Sequence, residues 1–172
     1  MTIPIGKRPQ GLALAGLLVV TAALAGCERT LNMQNAEAVI KSGLIEQLQM
    51  PFTAVSCPES RVMKAGDVFE CTATAESGGD LTVQVTQKDD SGTVIWTLTN
   101  GERVLSLTAL EEQIKDGLAK QLSVDASVDC GGKQRVAVKG QTFECTAKAG
   151  SDSRGVVVTM DDDQGNVSWA LK

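Results

Sequence analysis

The chain has 172 residues, with 16 Lys and Arg against 21 Asp and Glu, no His, and a formal net charge of −5. That acidic balance is the reverse of what phosphate-binding nucleic-acid proteins carry, and three Phe, two Trp and no Tyr leave few rings for stacking on bases or sugars or for filling one large core. Without His, neither a Ser-His-Asp or Cys-His site nor a histidine metal ligand can form.

Residues 1–26 have the three regions of an export signal: a basic pair Lys7-Arg8, an apolar run from Gly11 to Gly26, and a small-residue end before Cys27. The apolar core, about 15 residues, is shorter than the roughly 20 that cross a bilayer as a helix. Leu24-Ala25-Gly26-Cys27 resembles the lipobox of bacterial lipoproteins. The resemblance implies that the Cys27 thiol receives diacylglycerol and that Cys27 becomes the first mature residue. Two acyl chains hold a protein on a membrane where one binds only marginally. The implied partner of Cys27 is therefore the lipid bilayer, and the implied location is extracytoplasmic, anchored to the cell membrane or envelope. Five Cys are an odd number for an exported protein, and setting Cys27 aside leaves four that can pair. With Lys7 and Arg8 also set aside, 14 basic and 21 acidic residues remain, a net of −7. Residues 27–34 read as a tether with a reach of roughly 25 Å.

Beyond the tether the chain matches itself at a shift of about 73 or 74 positions. Ile40-Lys-Ser-Gly-Leu44 matches Ile114-Lys-Asp-Gly-Leu118, and Cys57 matches Cys130. Gly66-Asp-Val-Phe-Glu-Cys-Thr-Ala73 matches Gly140-Gln-Thr-Phe-Glu-Cys-Thr-Ala147, and Asp89-Asp-Ser-Gly-Thr-Val-Ile-Trp96 matches Asp162-Asp-Gln-Gly-Asn-Val-Ser-Trp169. The predicted organisation is a first repeat over 35–99, a linker over 100–106 and a second repeat over 107–172.

Each repeat opens on an amphipathic helix, with Ala36, Val39, Ile40, Gly43, Leu44 and Leu48 on the apolar stripe of the first and Leu110, Ile114, Gly117, Leu118 and Leu122 on that of the second. Asn35 reads as the first N-cap, and Thr108 with Glu111 as a capping box for the second. Gly43 and Gly117 each weaken a helix by about 1 kcal/mol relative to Ala, so their place on the stripe predicts a close approach to a sheet. Four alternating runs follow, over 53–57, 68–75, 81–87 and 93–98 in the first copy, with Phe69/Cys71/Ala73, Leu81/Val83/Val85 and Val94/Trp96/Leu98 each on one face. The second copy repeats them through Phe143/Cys145/Ala147, Val156/Val158 and Val167/Trp169/Leu171. The fold class is therefore α+β: two tandem repeats, each one helix on a four-stranded antiparallel sheet. Trp96 and Trp169 read as core plugs.

Of the three ways to pair four Cys, pairing within each repeat, Cys57 with Cys71 and Cys130 with Cys145, closes the shortest loops. Such a loop adds on the order of 3 kcal/mol to a small domain. Neither a C-x-x-C redox spacing nor zinc knuckles are present, and no metal or other cofactor is expected. The acids Asp89, Asp90, Asp161, Asp162 and Asp163 fall where the third and fourth strands must be joined and read as hairpin turns. Two carboxylates can catalyse glycoside hydrolysis, but a turn at a sheet tip lacks the necessary cleft. Gly165 is also misplaced for an EF-hand loop. No catalytic residues are expected.

The leading helix, Cys57-Pro58, Gly66-x-x-Phe69-x-Cys71 and Gly92-x-Val94-x-Trp96 together resemble the family called domain of unknown function 4333, and the second repeat matches it with Cys130-Gly131 in place of Cys-Pro. The resemblance implies a small disulfide-bonded module of envelope proteins and no activity. The tandem architecture is also similar to that of the β-lactamase inhibitory proteins. Together these readings predict a membrane-anchored, non-enzymatic module that binds an envelope protein or cell-wall partner and no nucleic acid. The alternatives are an inhibitor of a secreted enzyme, presenting an apolar patch across both repeats, and a carrier of a small apolar ligand held where Gly43, Ala73, Gly117 and Ala147 leave space.

Overall fold

A computed structural model describes residues 28–172. The expected signal peptide and the lipidation site Cys27 lie outside the described residues. The first repeat comprises helix α1 (Met33–Leu48) and strands β1 (Phe52–Ser56), β2 (Val68–Ala75), β3 (Asp80–Gln87) and β4 (Val94–Leu98). The strands form an antiparallel sheet in the order β1-β2-β3-β4. A 3₁₀ turn (Gly101–Arg103) and strand β5 (Val104–Ser106) lead into helix α2 (Leu107–Leu122). Strands β6 (Ser127–Asp129), β7 (Gln134–Val136), β8 (Thr142–Ala149), β9 (Asp152–Met160) and β10 (Val167–Leu171) follow. The second antiparallel sheet runs β10-β9-β8-β6, and β5 pairs with β7 in a separate two-stranded sheet.

The α+β class holds, but the pair β5–β7 adds to the expected helix and four strands, and two expected boundaries move. The linker 100–106 is structured, as the 3₁₀ turn and β5. The tether 27–34 is largely part of the fold. Thr30 bridges Val62, the Leu31 N–H donates to the Arg61 carbonyl at 2.8 Å, and Leu31 and Met33 are buried. Both departures have one cause. A three-residue strand has no period of its own, and its partner lies some 30 residues downstream, so only tertiary pairing reveals it.

The helix starts shift for a related reason. Met33 and Leu107 are buried, which draws the first turn inward. Asn32 and Ser106 therefore cap the helices, accepting from the N–H groups of Asn35 and Ala109, in place of Asn35 and Thr108. Glu111 does not close a capping box. Its carboxylate accepts the Cys130 N–H at 2.8 Å, and Glu37 accepts the Cys57 N–H at 2.9 Å in the first repeat. One acid per helix thus ties the helix to the strand end that carries the first cysteine of each pair.

Disulfides join Cys57 to Cys71 and Cys130 to Cys145. In the first repeat Ile40 and Leu44 of α1 lie on Phe69, Ala73, Leu81, Val83 and Val85, and in the second Leu110 and Ile114 of α2 lie on Cys145, Val156 and Val158. Trp96 and Trp169 are half-buried plates on the last strand of each sheet rather than fully enclosed plugs. Each lies against a helix glycine. A Cβ placed on Gly43 would sit 2.6 Å from Trp96 Cζ2, and one on Gly117 would sit 2.5 Å from Trp169 Cζ2.

Gly43→Ala and Gly117→Ala should therefore each destabilise by about 1–3 kcal/mol, because overlap with the indole outweighs the roughly 1 kcal/mol gain in helix propensity. Urea midpoints check this, and Trp96→Leu should remove most of the Gly43→Ala penalty. Cys57→Ala/Cys71→Ala should lower the unfolding free energy by about 3 kcal/mol, read in the same titration.

Candidate functional site

The acidic turns are occupied by their own backbone. Asp89 Oδ1 accepts from the Ser91 hydroxyl at 2.6 Å and from the N–H groups of Ser91 and Thr93 at 2.9 and 3.1 Å. Asp162 accepts from Gln164 N–H at 2.8 Å, Asn166 N–H at 3.1 Å and the Asn166 side-chain amide at 2.5 Å. Asp90 and Asp163 take the N–H groups of Ala65 and Lys139 at 2.7 and 2.9 Å, and so bind each turn to the loop before β2 or β8. The bond from the Ser91 hydroxyl, then those from Thr93, hold the Asp89 carboxyl well below the usual carboxylate range. The Asn166 amide does the same, more mildly, for Asp162. Among the described residues no three acid, Cys or His side chains converge as metal ligands.

The two repeats are joined by side chains that the sequence reading passed over. Arg103, in the expected linker, donates to the Asp80 and Ala137 carbonyls at 3.1 and 3.2 Å and lies 3.5 Å from Asp163 Oδ1. Arg135 on β7 and Gln141 both donate to the Ser77 carbonyl, at 3.1 and 2.9 Å, in the turn between β2 and β3. Val136, beside Arg135, is fully buried and belongs to the first repeat's core. Gly79 (φ +86°) lets this happen, since a Cβ there would lie 2.8 Å from Val136 Cγ1. The Arg135 guanidinium stands 4.7 Å over the Phe143 ring, as Arg61 stands 5.2 Å over Phe69. A signal was available, because Arg-Val-x-x-x-Gly-x-x-Phe-x-Cys recurs from Arg61 and from Arg135 in a chain short of basic residues.

An apolar groove of about 340 Å³ lies at the C-terminal end of α2. Leu118, Leu122, Val124, Ala126, Ala147 and Ala149 line it, and Asp152, Arg154, Leu171 and Lys172 form its mouth. Of the four small residues expected to leave space, Ala147 lines this groove, Gly43 and Gly117 are covered by indoles, and Ala73 is sealed in the first core. Leu122 and Leu171 are exposed at the groove, whereas Val39, Ile45, Val62, Val68 and Ile95, also exposed, belong to the first repeat. No helix of the described residues is long and apolar enough to cross a membrane.

Set against known proteins, residues 13–92 and 91–165 each match a family model described as Domain of unknown function (DUF4333). The matches end in the turn before β4 and the turn before β10, so the strands carrying Trp96 and Trp169 fall after them. No curated protein and no solved structure matches the chain.

The depressed Asp89 and Asp162 carboxyls contribute stability that is fully present above their unfolded-state values and is lost as the pH falls through their native ones. Asp89→Asn/Asp162→Asn should therefore be less stable than the parent at pH 7, with a difference that shrinks as the pH falls below about 4. Urea midpoints at pH 7 and at lower pH read the effect, and a constant difference would contradict it.

Proposed function

The chain belongs to the DUF4333 family through both of its repeats, a membership that names a module without an activity, and from it we propose that the protein is a membrane-anchored, non-enzymatic binding module of the cell envelope. The observation that carries this reading is the junction between repeats. Arg103, Arg135 and Gln141 fasten backbone carbonyls across it, and Val136 fills the neighbouring core. Two small modules thereby present one pre-organised surface, and preorganisation reduces the ordering cost of binding. The acids that could have served in hydrolysis are committed to their turns, which supports binding over catalysis.

Acylation at Cys27 is the proposed attachment. The Leu24-Ala25-Gly26-Cys27 pattern supports it, as do two disulfides, which persist in oxidising, extracytoplasmic surroundings. Only Glu28 and Arg29 separate Cys27 from the bridging residue Thr30. On this reading the first repeat rests close to the bilayer, and the second is carried outward by the junction. The groove on the second repeat favours a carrier of an apolar ligand as the second reading.

The intact mass of protein extracted from membranes tests the anchor. A chain beginning at Cys27 with a diacylglycerol-sized increment, and with four alkylable thiols only after reduction, is the expected result. Cys27→Ser should release the protein from the membrane fraction, and a wild-type chain found soluble and unlipidated would overturn the attachment.

A further inference from the structure

The groove exists because the second repeat departs from the first at particular core positions. Ala73 faces Leu81 across β2 and β3, whereas the matching Ala147 faces Arg154 across β8 and β9. Phe52 faces Ala75 at the start of β1. In the second sheet, where Ser127 faces Lys148, the residue before it, Ala126, takes the place of Phe52, and Val124 takes the place of Met50. In the first repeat Leu48, Met50, Phe52 and Leu81 are all buried and fill this end of the core. In the second, a phenylalanine has become alanine, a methionine valine and a leucine arginine, and Leu122 and Leu171 are left 53% and 41% exposed. The space left over is the 340 Å³ groove.

Loss of core volume alone would leave an apolar gap at a cost to stability. Here the same change also places a cation at the mouth. The Arg154 guanidinium, on a residue whose backbone is paired with Ala147 in the sheet, makes no hydrogen bond or ion pair with any described residue, while Lys172 beside it is held by Glu144 at 2.5 Å. Asp152 is the one acid at the mouth. An apolar floor with a free guanidinium at its edge matches an occupant that is apolar along its body and anionic at one end. The volume lies at the low end of the roughly 300–1,000 Å³ typical of small-molecule sites, which suits one alkyl chain rather than the two of a phospholipid.

We propose that this groove binds a fatty-acid carboxylate, with the alkyl chain on Leu118, Ala126, Ala147 and Ala149 and the carboxylate paired with Arg154. The proposal rests on the reading of the chain as a binding module and is independent of the anchor, so it is tested on the full-length Cys27→Ser chain. The probe is dodecanoate below its micellar range, and the readout is the alanine methyl spectrum. The methyls of Ala126, Ala147 and Ala149 should shift with saturation, while those of Ala73 and Ala75, their counterparts in the filled repeat, should not.

Affinity should rise about fourfold for each methylene added to a shorter acid until the groove is full. Arg154→Gln should weaken dodecanoate by about tenfold, and dodecyltrimethylammonium should bind more weakly than dodecanoate by a similar factor. Ala126→Phe, which restores the first repeat's filling, should abolish binding while the Ala36, Ala73 and Ala75 methyls keep their native positions. Equal binding of the cationic and anionic amphiphiles, no saturable shift, or binding untouched by both substitutions would overturn the proposal. Groove methyls that shift with protein concentration alone would assign the site to a second copy of the chain and also overturn it. A negative result here leaves the anchored-module reading to be decided by the mass measurement at Cys27.

Discussion

Each half of this chain is so small that burial alone supplies only about 3–5 kcal/mol of stability, and that constraint accounts for the rest of the design. A helix and four short strands bury one face of each, a disulfide shortens the unfolded chain between the first two strands, and a glutamate from the helix fastens the cysteine backbone in place. Even so, neither half is closed by itself. The first core is completed by Val136 from the second repeat, and the second repeat begins with a strand, β5, grown from the segment that connects them.

The repeat explains why the same devices occur twice. Glycine under tryptophan, arginine over phenylalanine, aspartate closing the hairpin and glutamate on the cysteine N–H all recur at matching positions. Each fixes one element against another: helix to last strand, connecting loop to second strand, hairpin to its own backbone, helix to disulfide. Where such a framework is duplicated, the informative positions are those at which the copies part. Gln87 is fully buried and holds the loop before β2 through the Val62 carbonyl and the Lys64 N–H. Its counterpart in β9, Met160, is a plain apolar filler. Phe52 against Ala126 and Leu81 against Arg154 are the divergences that open a groove, so this end of the core is filled in the first copy and accessible in the second.

The junction gives that asymmetry a direction. Arginine forks suit it because a guanidinium can bridge several carbonyls while its planar face lies on a ring. A hinge between the repeats would allow the groove to point anywhere. A junction fastened at Ser77, Asp80 and Ala137 fixes which way it faces relative to the first repeat and so relative to the point where residue 28 meets the preceding segment.

Much of the fold was legible in the chain. The period-2 runs, the helical stripes, the turn acids and the cysteine spacing are local patterns, and duplication made each readable twice. The α+β class and the pairing of Cys57 with Cys71 and Cys130 with Cys145 follow from them, as does close contact at Gly43 and Gly117. What lay outside local pattern was decided by tertiary structure. Strand β5 has too few residues to carry a period, Val136 belongs to a core encoded far upstream, and Asn32 and Ser106 became caps because burial of the next residue moved each helix start. The groove is the clearest case. Ala126 and Arg154 are unremarked residues in the sequence, and only strand register sets them at the places where Phe52 and Leu81 fill the other copy. A sequence determines its periods and its cysteines directly, whereas an empty space is a property of what several distant side chains jointly fail to fill.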